Sequence, residues 1–345
     1  MKRVFISVND CKPGMKIAED IYNEYGAVIL PDGTVLESYV IERLKKLGLV
    51  KLRIYDDTGE MIQVSGSELF KAQYKENLNT VKSVLHDIST GKQIDSQRVD
   101  QTTNSILSRI NENSEIVACI NEMRTTDEYL YSHSVNVALL CMLIGKWLKF
   151  DYIKLKSLIT AGFLHDLGKS RIPAEILNKP GSLTSEEYGE MKKHPVYGYK
   201  IAEGIKGLDE NVLKGILLHH EREDGSGYPF SMKGDKIHEF GKIVAVADMY
   251  DAMTSTRVYR NKQCPFDVIE IISVDNFNTL DNRVTSVFLK NIASYYLGEL
   301  VRLSNGITGE IVHINPFNIS RPIVKSGNNF VDLATQKKLK IIELV

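Results

Sequence analysis

The sequence predicts a mainly α-helical protein with a small α/β module at its N-terminal end and a small β-module at its C-terminal end. Apolar residues recur at helical spacing from 116 to 297, with almost no alternating strand pattern. Short alternating runs around turn-forming residues occupy 1–65 and 298–345 instead. We therefore predict a regulatory module at 1–65, a helical linker at 66–115, an all-α domain at 116–297 and a β-module at 298–345.

The two predicted segments before 116 depend on local sequence patterns. "AVILPDGTVL" indicates two strands about the turn at 31–33, "ESYVIERLKKLG" indicates a short helix that stops at Gly48, and "VKLRIYD" returns as a strand. The linker carries apolar residues at helical spacing over 78–85, and a second helix is predicted over 96–112. These helices either join the N-terminal module to the helical domain or form a plain hairpin packed on it.

The C-terminal module is predicted from two hairpin patterns. "ELVRLSNGITGEIVHINP" has an Asn-Gly turn between two alternating strands, and "RPIVKSGNNFVDL" repeats that pattern about Gly327.

In the helical domain, "GKIVAVADMYDAM" contains many valines and alanines, but its length and continuation favour a buried helix over a strand.

Composition limits which ligands the protein can bind and where in the cell we expect it. Of the 345 residues, 43% are hydrophobic and 25% charged, as expected for a globular protein with a core. The formal net charge of −1 excludes a global field for a long nucleic acid, so a nucleotide ligand should be small or held by local charges. The four cysteines form no C-x-x-C pair, the start of the chain lacks an apolar signal, and the apolar run at 137–148 is too short for a span. We expect a cytoplasmic protein with reduced cysteines and no membrane span.

Side chains that can bind metals recur at the ends of apolar helical runs. Each histidine among these side chains, taken alone, fits a core or surface role better than a ligand role. Buried polar groups are costly unless they find partners, and neutral imidazoles neutralise carboxylates poorly. A pair of divalent cations would satisfy the whole set at once. The candidate ligands are His133, His165, Asp166, His194, His219, His220 and Asp248.

The stretch "FLHDLGKS" raises a question of orientation. Adjacent side chains on a helix point about 100° apart, so we expect His165 and Asp166 to face different directions and not to pair. We expect them to serve different ions, with the carboxylate of Asp166 bridging both. Lys169 follows by one turn and either directs its ammonium group at a bound phosphate or interacts with the C-terminal dipole of a helix.

Several motifs resemble the HD-GYP domain, a subgroup of the HD phosphohydrolases. "HDLGK" at 165–169, "HHEREDGSGYP" at 219–229 and "ADMYDAMTSTRVYR" at 247–260 carry the resemblance. "SHSVNVA" at 132–138 and "MKKHPVYGYKI" at 191–201 fit the same order. The resemblance implies hydrolysis of cyclic di-GMP to pGpG, and further to GMP, by attack of a hydroxide held between two divalent metal ions, iron or manganese.

The resemblance also implies roles for particular residues. Asp166 and Lys169 would be catalytic, and Asp166 would belong to both metal sites. The first ion would be held by His133, His165, Asp166 and Asp248, and the second by Asp166, His194, His219 and His220. The substrate would be contacted by Lys169, Arg257, Arg260, Gly227 and Tyr228.

Two departures from the family pattern bear on these expectations. Tyr129 stands where members with a third metal carry glutamate, so we predict two ions. Val258 replaces a common proline, with little expected effect. No candidate ligand with a suitable partner precedes 116, so we predict that 1–115 is dispensable for chemistry.

Two other functions stay open at this point. The domain could be a non-catalytic sensor or docking module for a cyclic dinucleotide, although the complete set of candidate ligands argues against that. It could also hydrolyse another cyclic dinucleotide or nucleotide with the same metal chemistry. A homo-oligomer or a signalling-protein partner is compatible with either possibility.

Overall fold

A computed structural model of the chain describes residues 2–8, 11–22, 28–46, 49, 51–56, 65–111, 116–117, 119–120, 129–255, 263–274 and 278–345. The chain divides into two compact units. One unit consists of Gly66–Phe288, and the other combines Met1–Ser65 with Leu289–Val345.

The N-terminal part of the second unit is a small α/β structure. Its strands and helix are β1 (Lys2–Ser7), β2 (Lys16–Ile17), β3 (Ile21–Tyr22), β4 (Val28–Leu30), α1 (Ser38–Lys46) and β5 (Lys51–Asp56). β5 lies between β1 and β2 in an antiparallel sheet, and β3 pairs with β4. The prediction of two strands in "AVILPDGTVL" is half right, because Val35 forms only an isolated bridge with Lys16.

The other unit is helical, which confirms the predicted mainly α fold. It contains the long linker helix α2 and helices that surround an apolar core. The helices are α2 (Ser65–Ser89), α3 (Ser96–Leu107), α4 (Tyr129–Trp147), α5 (Tyr152–Leu164), α6 (Ala174–Leu177), α7 (Ser185–Met191), α8 (His194–Glu203), α9 (Glu210–Leu218), α10 (Glu239–Thr254), α11 (Pro265–Val274) and α12 (Asn282–Ser294), the last of which continues into the second unit.

The helix ends are fixed by side-chain caps. Asp151 accepts a hydrogen bond from the backbone N–H of Lys154 at 2.9 Å and so starts α5. Asp209 does the same for α9 through Asn211 at 2.9 Å. These caps determine where each helix starts, and its apolar face then extends to the histidine at its other end.

The packing of α4 on α5 positions two of the candidate ligands. Gly162 lies against α4 so closely that a Cβ there would come within 2.9 Å of the Cys141 sulfur and 3.1 Å of the Ala138 Cα. A glycine is therefore needed for this contact. The close approach places the start of α4, with His133, beside the end of α5, with His165.

The C-terminal part of the second unit is the predicted β-module. It is an antiparallel sheet in the order β10-β6-β7-β8-β9. Its strands are β6 (Leu300–Leu303), β7 (Thr308–His313), β8 (Ile323–Ser326), β9 (Asn329–Asp332) and β10 (Ile341–Leu344). Arg53 on β5 forms ion pairs with Glu19 at 3.2 Å and with Glu310 on β7 at 3.0 Å, so both ends of the chain meet within this unit. None of the helices in the described ranges has both the length and the apolar character of a transmembrane span.

Candidate metal centre

The seven candidate ligands come together at helix ends inside the helical unit. His165 and His219 follow the last residues of α5 and α9, and His194 is the first residue of α8. Asp248 lies within α10. All seven side chains are buried except that of His220, which is half-buried; the set is His133, His165, Asp166, His194, His219, His220 and Asp248.

The ligand atoms form two groups. The first contains His133, His165 and Asp166, and the second contains His194, His219 and His220; within each group the atoms that could bind a metal lie within 4.8 Å of one another. Each group therefore has the donors to hold one cation. Imidazole nitrogens and carboxylate oxygens suit several divalent first-row metals.

The carboxylate of Asp166 lies between the two groups. Its Oδ1 is 3.5 Å from the Nε2 of His194, in the second group. Its Oδ2 is 3.4 Å from the Nε2 of His165 and 3.6 Å from the Nε2 of His133, in the first group. One carboxylate thus presents one oxygen to each group, which is the arrangement that a bridging ligand needs.

The expected divergence of His165 and Asp166 is wrong. α5 ends at Leu164, and Asp166 has φ −96° and ψ 6°, outside the helical geometry. The chain then enters a 3-10 helix, Leu167–Arg171. Because the α-helix has ended before Asp166, the spacing of 100° no longer applies, and the two side chains meet at 3.4 Å.

Gly168 sets the distance between Asp166 and the second group. A Cβ at this position would overlap the carbonyl oxygen of His194 and crowd the backbone nitrogen of Gly198. The 3-10 turn therefore packs directly on the backbone of α8. This contact holds Asp166 within reach of His194.

Three of the histidines have the same tautomer, because each Nδ1 faces a carbonyl oxygen, which can only accept a hydrogen bond. Nδ1 of each must therefore carry the proton, and Nε2 presents its lone pair to the centre. The pairs are His165 with Gly162 at 2.8 Å, His194 with Met191 at 2.8 Å and His219 with Ile216 at 2.6 Å.

This tautomer creates a site that fits a cation. The Nε2 atoms of His194 and His219 are 3.2 Å apart, so two lone pairs face each other. Burial lowers the pKa of His194 to about 4 and holds that of His219 well below its usual range, so a proton does not occupy this position at neutral pH. A divalent metal ion would bind both lone pairs.

Unsatisfied atoms of His165 and Asp166 support the same conclusion. Nε2 of His165 and Oδ1 of Asp166 are buried without a hydrogen-bond partner in the described part of the chain. Leaving such groups unpaired costs about 1–3 kcal/mol each. Burial opposes ionisation of Asp166, yet the neighbouring ammonium group of Lys169 helps to hold its pKa well below its usual range, so it is a carboxylate. The donors present therefore fit divalent cations.

Asp251 is a residue of the candidate centre that the sequence analysis missed. It lies one turn after Asp248 in α10 and accepts a hydrogen bond from Nδ1 of His133 at 2.7 Å. Nε2 of His133 is 3.1 Å from Oδ1 of Asp248. Burial opposes protonation, but the two carboxylates raise the pKa of His133 to about 9 in the metal-free protein. The available signal was the spacing of three between two acidic residues in an otherwise apolar helix.

Lys169 lies at the edge of the centre. Its ammonium group donates a hydrogen bond to Oδ2 of Asp166 at 2.6 Å, and its side chain is 23% exposed. A cation in this position is accessible from solvent and adjoins the carboxylate between the two groups. It is the nearest described cation for an incoming anion at Asp166.

The loop after α9 covers the second group. The ring of Tyr228 stacks on His220 with centroids 4.6 Å apart, and burial raises the pKa of Tyr228 above its usual range, so the phenol is neutral. A Cβ at Gly227 would overlap the carbonyl oxygen of His220. Glu221, which the sequence analysis also missed, is 3% exposed and accepts hydrogen bonds from the backbone of Phe230 at 2.7 Å and of Met232 at 2.8 Å. Glu221 thereby holds the loop in place.

A cavity of about 170 Å³ adjoins Lys169 and Asp166. The linker helix α2 forms one wall of this cavity, and α4 and α5 form others. Lining residues include Val84, Leu85, Tyr131, Phe163, Asp166 and Lys169. The walls are mostly apolar, and the cavity is slightly larger than an engineered cavity of about 150 Å³ that binds benzene.

Some predicted positions lie outside the described residues. These are Arg257 and Arg260, predicted to contact phosphate, together with Val258. Tyr129 is the first residue of α4, but its side chain is outside the described part of the chain.

Fold and centre together define a helical protein with a buried histidine–carboxylate centre that could hold divalent metal ions. The family profile described as "HD domain" matches residues 117–284. The chain therefore contains an HD domain, and its motifs resemble those of the HD-GYP subgroup.

Comparisons with individual proteins agree with this assignment. The chain is 32% identical to the cyclic di-GMP phosphodiesterase PA4108 of Pseudomonas aeruginosa over 71% of its own length and 59% of that protein. It is 33% identical to the 3'3'-cGAMP-specific phosphodiesterase 1 of Vibrio cholerae over 51% of its length and 41% of that protein. The chain therefore spans less than two thirds of either relative. Among solved structures, Bd1817, an HD-GYP-type protein from Bdellovibrio bacteriovorus, has the same fold with a TM-score of 0.53, at 18% identity over 83% of this chain and 98% of that chain.

Proposed function

We propose that the protein is a metal-dependent phosphodiesterase that hydrolyses cyclic di-GMP to pGpG and, on further cleavage, to GMP. The observation that carries the proposal is the position of Asp166. Its two carboxylate oxygens face two separate groups of histidines, and Lys169 lies beside it. A pair of cations flanked by an ammonium group is suited to a phosphodiester, which is anionic and reacts by in-line displacement.

Two divalent ions, iron or manganese, are part of the proposal. Bound in the two groups, such ions would polarise the phosphate and lower the pKa of water toward neutrality. The ligands are the seven residues named above, with Asp166 shared. The proposed number is two, because Tyr129 offers a neutral phenol where a third ion would need an anionic oxygen.

The chain's own residues would bind and orient the substrate. The ammonium group of Lys169 would turn from Asp166 to a non-bridging phosphate oxygen and stabilise charge that develops there. Arg257 and Arg260 are proposed to bind phosphate, since guanidinium groups pair with phosphate in bidentate geometry. The neutral ring of Tyr228 and the backbone at Gly227 would form the wall of the site over His220.

The cavity beside Lys169 supports a substrate that carries an aromatic base close to the phosphate. It is mostly apolar and large enough for one aromatic ring system, and Asp166 and Lys169 form part of its wall. Cyclic di-GMP is proposed before 3'3'-cGAMP because the relative named for the former matches more of this chain, 71% against 51%. Hydrolysis of 3'3'-cGAMP is the second candidate, and the relative named for it is the observation that favours it.

A location in the cytoplasm is also proposed, because all four cysteines are buried and the sequence contains no C-x-x-C pair, as is common in proteins of reducing compartments. A homo-oligomer or a signalling-protein partner stays a prediction.

The test is turnover by protein purified without chelator and supplied with manganese. Cyclic di-GMP and 3'3'-cGAMP are compared at equal concentration, and Asp166→Ala serves as the variant. We expect pGpG from the wild type and neither turnover nor metal binding from Asp166→Ala. Binding of cyclic di-GMP without any product would instead indicate a sensor.

A further inference from the structure

A buried chain of hydrogen bonds links the linker helix α2 to His133. The hydroxyl of Tyr74 on α2 donates to Oδ1 of Asn136 at 2.7 Å. The amide of Asn136 donates through Nδ2 to Oδ1 of Asp251 at 2.9 Å. Oδ2 of Asp251 accepts from Nδ1 of His133 at 2.7 Å. The chain of bonds thus crosses from α2 through α4 and α10 and returns to the start of α4.

Every residue in this chain of hydrogen bonds is buried. Tyr74 is 2% exposed, Asn136 and His133 are 1% exposed, and Asp251 is 0% exposed. In such surroundings a polar group that loses its partner cannot substitute water for it, so each bond constrains the next. An interaction at Tyr74 therefore affects the geometry at His133.

The direction of these hydrogen bonds gives Tyr74 a role beyond packing in the core. A hydroxyl that donates to the amide oxygen of Asn136 fixes which end of the amide faces Asp251. The NH₂ end then points at Oδ1 of Asp251, and the carboxylate plane is held from both sides. His133 receives its orientation from this carboxylate, as histidine ligands commonly do from carboxylates behind them.

We propose that Tyr74 is a positioning residue of the metal centre: it orients His133 through Asn136 and Asp251, and it makes α2 part of the centre. The proposal rests on the proposed function, in which His133 is a ligand. α2 precedes the segment 117–284 that matches the HD-domain profile. We therefore no longer expect the whole of 1–115 to be dispensable for chemistry, because α2 would be needed. Displacement of α2 would alter the affinity of the first group for its ion.

The test measures manganese affinity of the full chain by competition with a chromogenic chelator. Tyr74→Phe removes only the hydroxyl and should weaken the affinity by about 3- to 10-fold, the effect of one lost hydrogen bond. Asp251→Asn acts directly on His133 and should weaken it by about 10- to 100-fold. Asn136→Ala cuts the chain in its middle and should weaken affinity at least as much as Tyr74→Phe.

Thr103→Val is the matched control. Thr103 on α3 is 0% exposed and hydrogen bonds to Thr160 on α5 at 3.0 Å, so it too joins a linker helix to the helical domain through a buried hydroxyl. It has no hydrogen bond to a candidate ligand in the described structure. We expect a comparable loss of thermal stability and unchanged manganese affinity.

A double-mutant cycle separates positioning from general destabilisation. In the Asp251→Asn background, the effect of Tyr74→Phe on affinity should vanish, because the bond chain is already broken. An undiminished effect in that background, or wild-type affinity in Tyr74→Phe, would overturn the proposal. Wild-type protein that binds no manganese would overturn the proposed function together with it, and that outcome is distinct from the other two.

Discussion

Gly168→Ala is expected to disable the centre although residue 168 binds nothing itself. The added methyl group would overlap the carbonyl oxygen of His194 and crowd the backbone nitrogen of Gly198. Both obstacles are backbone atoms of α8, so no side-chain rotation can relieve the overlap. The 3-10 turn and α8 would have to separate by on the order of 1 Å, and Asp166 would move away from His194.

The size of this effect has two components. Overpacking of this kind costs about 1–3 kcal/mol of unfolding free energy. A displacement of about 1 Å at the reacting groups can cost roughly 100-fold in rate. We therefore expect Gly168→Ala to lower kcat for cyclic di-GMP by about 100-fold and to weaken manganese binding, with a thermal midpoint lower by several degrees.

Gly189→Ala is the control for this substitution. Gly189 lies in α7, and a Cβ there would meet nothing within 4 Å. The substitution should leave turnover unchanged and raise stability slightly, since alanine is favoured over glycine in helices by about 1 kcal/mol. Gly168→Ala with wild-type turnover and manganese affinity would refute the argument that this contact places Asp166.

Three further predictions concern the charge, the cavity and the protonation of the centre. Lys169→Met should retain both metals and lower kcat by about 10²- to 10³-fold, the usual effect of removing one donor to transition-state charge; unchanged kinetics would limit Lys169 to its ion pair with Asp166. Leu85→Trp should fill the cavity and lower kcat/KM for cyclic di-GMP but not for bis(p-nitrophenyl) phosphate, which carries no purine; an equal loss for both esters would exclude a base in the cavity. In metal-free protein, His133 has a folded pKa of about 9 against an ordinary value near 6.5, so its stabilising contribution is complete below pH 6.5 and is lost as pH rises through 9. The pKa of His194 is lowered, so its effect on the free energy of unfolding is confined to pH below 6.5, where stability is lost as pH falls. It therefore does not obscure the change expected between pH 6.5 and 9. Denaturant unfolding between pH 6.5 and 9 should show this decline in the wild type and a smaller one in Asp251→Asn, and a flat profile would contradict it.

Most of the helices, and the residues that gather at the candidate centre, can be predicted from the sequence, and the reason is physical. Histidines at the ends of apolar helices are costly unless they share a partner, and that cost is visible in one dimension. The buried helix over Asp248 and the hairpins of the C-terminal sheet are confirmed because their periodicity and turn residues are local signals.

What the sequence leaves undetermined depends on contacts between distant segments. Asp251 contacts His133 across 118 positions, and no local pattern specifies such a pairing. Tyr74 looks like an ordinary apolar-face residue of a linker helix until Asn136 is found against it. The relation of His165 to Asp166 depends on where α5 stops, and helix ends are the least certain part of any pattern.

The central claim is that Asp166 lies between two divalent ions. An anomalous-scattering map from crystals of active, manganese-loaded protein tests it most directly. We expect two peaks, one beside His133 and His165 and one beside His194 and His219, roughly 3.5–4 Å apart with Asp166 between them. A single peak, a third peak of full occupancy next to residue 129, or two peaks without contact to Asp166 would contradict the claim.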